Sequence, residues 1–158
     1  MANTQSMCTS FLGELMTATH NFGASPVRAA TTADTFKAAL YFTTATINAA
    51  TTVYTTSGEV TGTNYTAGGV TVTNATAPAS TNASSTAGVG YWTPSASITY
   101  TLVTINTAFD TVLLYNSTQS NKAVSVHTFG SQTITAGNFT LTMPSNTTTT
   151  ALLRLSTT

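Results

Sequence analysis

Apolar and polar residues alternate along much of this chain. In TFKAALYF, Phe36, Ala38, Leu40 and Phe42 fall on one side and Lys37, Ala39 and Tyr41 on the other. A period of two marks a β-strand. The same period runs through VTVT (70–73) and SITYTLVTI, where Ile98, Tyr100 and Leu102 share a side, and through FDTVLLYN, AVSVHTF, NFTLTMP and ALLRL. In NFTLTMP, Phe139, Leu141 and Met143 point inward and Asn138, Thr140 and Thr142 outward; Pro144 has no N–H to give a ladder and ends the strand. Several short strands separated by Gly, Asn and Ser turns predict an all-β fold, an antiparallel β-sandwich or barrel.

One segment breaks the period. In SFLGELMTATHNFG (10–23), Phe11, Leu12, Leu15, Met16 and Thr19 recur on one helical face, with Ser10 to cap the start and Gly23 to end it. This predicts one short N-terminal amphipathic helix. Its apolar face needs a cover, either the protein's own sheet or a neighbouring subunit. Phe11, Leu15 and Met16 are therefore interaction candidates.

LLYNSTQSNKAVSVHTFG (113–130) reads as a hairpin. Tyr115 and Asn116 end one strand, STQSN turns, and Ala123 to Phe129 return. Alternation puts His127 with Ser125 and Phe129, as a solvent-facing or interface histidine, and leaves Lys122 as a solvated charge in the turn. The four glycines of TSGEVTGTNYTAGGV (56–70) suit turns and bulges; no G-x-x-x-x-G-K-[ST] pattern makes them a phosphate cradle. NATAPASTNASSTAGVG (74–90) has almost no large side chain and reads as a long low-complexity surface loop or extended arm. Nothing implies a second domain: residues 1–158 form one unit, with 1–23 as arm and helix.

Composition narrows the function. Threonine fills 40 of 158 positions, only four Lys or Arg and four Asp or Glu are present, and the net charge is +0. Threonine is polar yet β-branched, so it serves the outward side of strands without charge. Nucleic-acid binding needs clustered Lys and Arg, and these are scattered; adhesion to an anionic membrane fails for the same reason. Zero net charge promotes association, which suggests a surface largely covered by partners; a secreted or surface module is the other reading. No apolar run approaches the about 18 residues that span a bilayer. The start, MANTQSMCTS, lacks the features of a secretory signal, so folding in a cytoplasm is expected.

Candidate chemistry is thin. Cys8 has no partner for an internal disulfide and no base near it in sequence. Glu14, Asp34, Glu59 and Asp110 sit in unrelated contexts, the two histidines and Cys8 show no metal-ligand spacing, and no G-x-S-x-G occurs. The expectation is a protein that is not an enzyme and uses no cofactor or metal. In GYWTP (90–94), Tyr91 and Trp92 point to opposite faces of a strand. Either one is exposed to bind a sugar or protein, or Trp92 is core. Six N-x-[ST] sequons, at Asn64, Asn74, Asn82, Asn116, Asn138 and Asn146, follow from abundant Thr.

Two patches resemble a group of small tailed-bacteriophage virion proteins. They are DTFKAALYFTTATINAATTVYTTSGEVTGTNYTAGGVTVT (34–73) and LLYNSTQSNKAVSVHTFGSQTITAGNFTLTMPSNTTTTALLRL (113–155). In that group a strand ending in YN precedes a polar turn and KAV or RAV. An FGS-like turn, AGNFT or AGTFT, a Pro-ended strand and a final apolar strand with Arg follow. Residues 75–108 depart from the pattern. The resemblance implies a jelly-roll-like sandwich and a capsid decoration (cement) protein on the virion's capsid exterior. Such a protein bridges neighbouring major capsid protein subunits as a homodimer or homotrimer. The alternatives are a neck, tail or head-fibre component, or a carbohydrate-binding β-sandwich using Tyr91 and Trp92.

Overall fold

The computed structural model describes residues 3–8, 11, 15, 19–22, 33–81 and 88–156. These form eight strands: β1 (Ser6–Met7), β2 (Phe36–Phe42), β3 (Val70–Thr71), β4 (Ala79–Ser80), β5 (Val89–Trp92), β6 (Ile98–Asn116), β7 (Lys122–Leu141) and β8 (Leu153–Ser156). They make two antiparallel sheets, five-stranded in the order β1-β7-β6-β2-β3 and three-stranded in the order β4-β5-β8. The expected helix over 10–23 lies largely outside the described residues: of its apolar face Phe11, Leu15 and Thr19 are described, and Leu12 and Met16 are not. The expected long loop over 74–90 contributes β4 and the start of β5, and its residues 82–87 lie outside the described residues.

Two pairs of expected strands are each one strand. SITYTLVTI and FDTVLLYN join as β6, and AVSVHTF and most of NFTLTMP join as β7. The expected FGS turn is a bulge. Phe109 pairs with Gln132 and Thr111 with Thr128, so Phe129, Gly130 and Ser131 lie opposite Asp110 alone. A bulge absorbs extra residues while pairing continues on either side, and a glycine there carries the same local signature as a turn.

Cross-strand neighbours share a face, so the β2–β6 register sorts the core. Lys37, Ala39 and Tyr41 share one face with Tyr115, Leu113 and Thr111; Phe36, Ala38 and Leu40 share the other with Asn116, Leu114 and Val112. Both faces are covered. Every residue from Ala38 to Tyr41 is buried, which is why β2 lacks the polar outward side that alternation implies.

The Phe36 face carries an aromatic cluster. Phe22 stacks on Phe36 with centroids 4.5 Å apart and contacts Trp92 at 4.7 Å; Phe11 meets His20 edge-on at 4.9 Å. Phe11 is 2 % exposed, so the start of the expected helix serves the protein's own core. The N-terminal segment is tied down as well. Asn3 Nδ2 donates to Phe42 O and Asp110 Oδ1, and Ile47 N donates to Asn3 Oδ1. Cys8, expected in a polar segment, is buried, with its N–H donating to Val124 O.

Candidate functional site

The opposite face of β2 is closed by residues 53–69, and Glu59 organises them. Val60 N donates to Leu40 O and Phe42 N to Gly58 O, so this segment runs along the free edge of β2 ahead of β3. The Glu59 carboxylate is buried. Its Oε2 accepts from Tyr54 Oη at 2.6 Å, and its Oε1 from Tyr65 Oη at 2.7 Å and Gly68 N at 2.7 Å. Tyr65 Oη in turn accepts from Leu40 N, while Tyr115 Oη donates to Gly68 O and Tyr100 Oη to Ala38 O. Each phenol is used, and a strand edge that would otherwise be open is blunted.

Gly68 and Gly69 make this closure possible. Both lie at positive φ, +90° and +68°, and a Cβ on Gly69 would sit 1.7 Å from Ala38 O. Burial raises the phenols of Tyr41, Tyr54, Tyr65 and Tyr100 above their ordinary range, and the charge on Glu59 adds to it. The same causes push Tyr115 up to about 12. The phenols therefore stay protonated donors, which is what the buried Glu59 carboxylate accepts from.

A second network anchors the hairpin. Asp34 Oδ2 accepts from Asn21 N at 2.9 Å and Asn116 Nδ2 at 2.8 Å, and Asp34 Oδ1 from Gln119 Nε2 at 3.1 Å. Asn116 Oδ1 accepts from the N–H groups of Thr118 and Gln119, an Asx turn that shapes STQSN. Asn116 is also within 3.1 Å of His20 Nδ1. The two sequence patches that carry the resemblance, 34–73 and 113–155, thus meet at Asp34 and Asn116. Full burial of Asn116 removes that sequon from any modification. Lys122, expected in the turn, begins β7 opposite Asn116 and is half-buried.

Ser125 Oγ and His127 Nε2 lie 2.9 Å apart, on one face as alternation requires. Burial lowers His127 to about 4, so it is neutral near pH 7. It is half-buried rather than solvent-facing, in the wall of an apolar groove. Ser125 is 1 % exposed, and no carboxylate orients the ring among the described hydrogen bonds, so the pair does not form a triad. The carboxylates of Asp34, Glu59 and Asp110 belong to separate networks. Among the described residues, no group of three or more His, Cys, Asp or Glu is placed to hold a metal.

The described residues offer two apolar grooves to the outside, one of about 340 Å³ beside His127, Phe129, Phe139 and Leu141 and a roomier one at the sequence candidates. A cavity of about 470 Å³ is lined by Phe11, Leu15, Phe22, Tyr91, Trp92 and Leu155, among others. The structure thus brings four of the five candidates to one place; Met16, the fifth, lies outside the described residues. Their roles differ. Phe11 and Trp92 are buried, Trp92 at 3 % with its indole N–H donating to Thr76 O, whereas Leu15 and Tyr91 are half-buried at the rim. The Glu59 cage was not legible in sequence: Tyr54 and Tyr65 lie near Glu59 in the chain, but the glycine-rich segment that holds them has no strand or helix period to bring their hydroxyls to one carboxylate; the one signal was an acid inside a glycine-rich run. No family model, curated protein or solved structure matches this chain. Among the described residues, no helix is long and apolar enough to cross a membrane.

Proposed function

We propose that this chain is a non-enzymatic structural protein of a bacteriophage virion. It decorates the capsid exterior and bridges neighbouring major capsid protein subunits, after synthesis in the host cytoplasm. In this reading the two sheets form a jelly-roll-like sandwich, and the chain self-associates as a dimer or trimer. One observation carries the proposal: the buried Glu59 and Asp34 are engaged in holding chain to chain, so the described exterior is poor in charge, rich in threonine hydroxyls and marked by two apolar grooves. That surface suits repeated modest contacts, whose strength comes from multivalency rather than from ions that must be desolvated. The resemblance of residues 34–73 and 113–155 supplies the particle.

A neck, tail or head-fibre position makes the same demands on the chain and differs in where the copies sit. The carbohydrate-binding alternative would rest on Tyr91 alone, since Trp92 is buried and its indole N–H is engaged. The test is reconstitution on particles made without this protein. Saturable binding that raises the temperature at which the shell ruptures is expected; absence of binding, or binding with no change in rupture, contradicts the proposal.

A further inference from the structure

Leu102 is the most exposed large apolar side chain among the described residues, at 59 %. Its backbone lies at φ +51°, a region that crowds any Cβ and that leucine rarely occupies. Side chains hold it there: Leu102 N donates to Asn138 Oδ1 at 2.8 Å, and Asn64 Nδ2 donates to Leu102 O at 2.9 Å. Asn64 is itself left-handed at φ +59°, and so is Ala136, at +47°, beside the Val103–Gly137 pair. Pairing slips between Tyr100 and Val103, so the leucine stands on a bulge. Asparagine or glycine would sit on this backbone with less strain and expose no apolar surface. Strain and apolar exposure together gain the fold nothing, and such a combination marks a functional position.

The described residues also carry two apolar grooves, the roomier of them beside Trp92. The groove beside Trp92 is apolar, ample for a leucine side chain, and rimmed by Leu155 at 42 % exposure and half-buried Tyr91. None of its lining residues belongs to the Leu102 patch, and none carries a formal charge. The chain has net charge +0, so copies do not repel one another. We propose that Leu102 of one copy seats in the groove of a second copy. The contact is heterologous, so it repeats head to tail and either closes into a ring or runs on as a chain. This deepens the self-association in the proposed function, and its test in the isolated protein involves no particle, so either can fail without the other.

The experiment is sedimentation velocity of the full chain over a concentration series, for wild type, Leu102→Asn, Leu155→Asp and an equal mixture of the two variants. Wild type should associate, and each variant alone should lose at least about tenfold in affinity. The mixture should regain a heterodimer and nothing larger, because one copy keeps its knob and the other its groove. Leu102→Asn should also raise the thermal midpoint, which separates its effect from misfolding. Should Leu155→Asp fail to fold, Leu155→Thr takes its place. A wild type that stays monomeric overturns the proposal, as does Leu102→Asn associating like wild type. A mixture that forms no heterodimer overturns it too, and Leu155→Asp associating normally while Leu102→Asn does not would point to a symmetric Leu102–Leu102 contact instead.

Discussion

The β6–β7 ribbon behaves as two different structures along its length. Near the turn, Thr111–Asn116 pairs with Lys122–Thr128, β2 and β1 flank it, and Val112 to Asn116 and Ala123 to Val126 are buried. Away from the turn, Ile98–Phe109 pairs with Gln132–Leu141 through repeated slips, two residues are left-handed, and Gly130 to Thr133 are exposed. The first half is fixed by contacts on both faces and by the Glu59 and Asp34 networks. The second keeps its shape with bulges and side-chain hydrogen bonds and presents residues to solvent. One half is buried on both faces, and the other buries Ile98, Tyr100, Val103, Ile105 and Phe109 of β6 while its remaining residues face outward; bulges on this outward-facing half also discourage indiscriminate strand addition.

Substitutions should separate the halves by the size of their effect. The largest belongs to Gly69→Ala. Its Cβ would meet Ala38 O, so a loss of at least about 3 kcal/mol, or failure to fold, is expected in denaturant titration. A small loss would mean that the Glu59 loop can lift off β2. Glu59→Gln comes next. It places an amide NH₂ where phenols and the Gly68 N–H donate, so about 2–3 kcal/mol should be lost, with a new exposed tyrosine signal in fluorescence.

The alkaline limb follows from the same cage. Unfolded tyrosines ionise near 10 and Tyr115 in the folded chain near 12. The folded state therefore keeps protons that the unfolded state loses, and stability is complete below pH 10 and falls as pH rises through 12. Thermal midpoints flat across that window would contradict the cage. The smallest effect is expected on the outward half: Thr133→Ala, exposed on β7, should change stability by no more than about 0.5 kcal/mol. A larger loss would erase the contrast between the halves.

Much of the sheet was legible because alternation is a local signal. Phe36–Phe42 and the hairpin around Asn116 were readable residue by residue, turn included. Strand length was not. Gly130 and Ser131 look the same in sequence whether they turn the chain or bulge it, and the difference is decided by what lies across the ribbon. The burial of both faces of β2 was hidden for a related reason: the cover comes from residues 53–69 and from Phe22 and Trp92, all distant in sequence. Of the candidate site, Tyr91, Leu15 and Trp92 could be named singly, but not the groove that joins them. Leu102 was read as sharing a side with Ile98 and Tyr100 on a regular strand. The bulge that turns it out depends on Asn64 and Asn138, which no pattern connects to it.

The proposed role rests most on this chain sitting on the outside of a capsid. Electron cryomicroscopy of intact particles, with the eight-strand fold placed in the density, tests that directly. The account predicts this chain in many copies across the outer surface of the shell, each touching neighbouring major capsid protein subunits. Density confined to a single vertex, or no density on the particle, would contradict it.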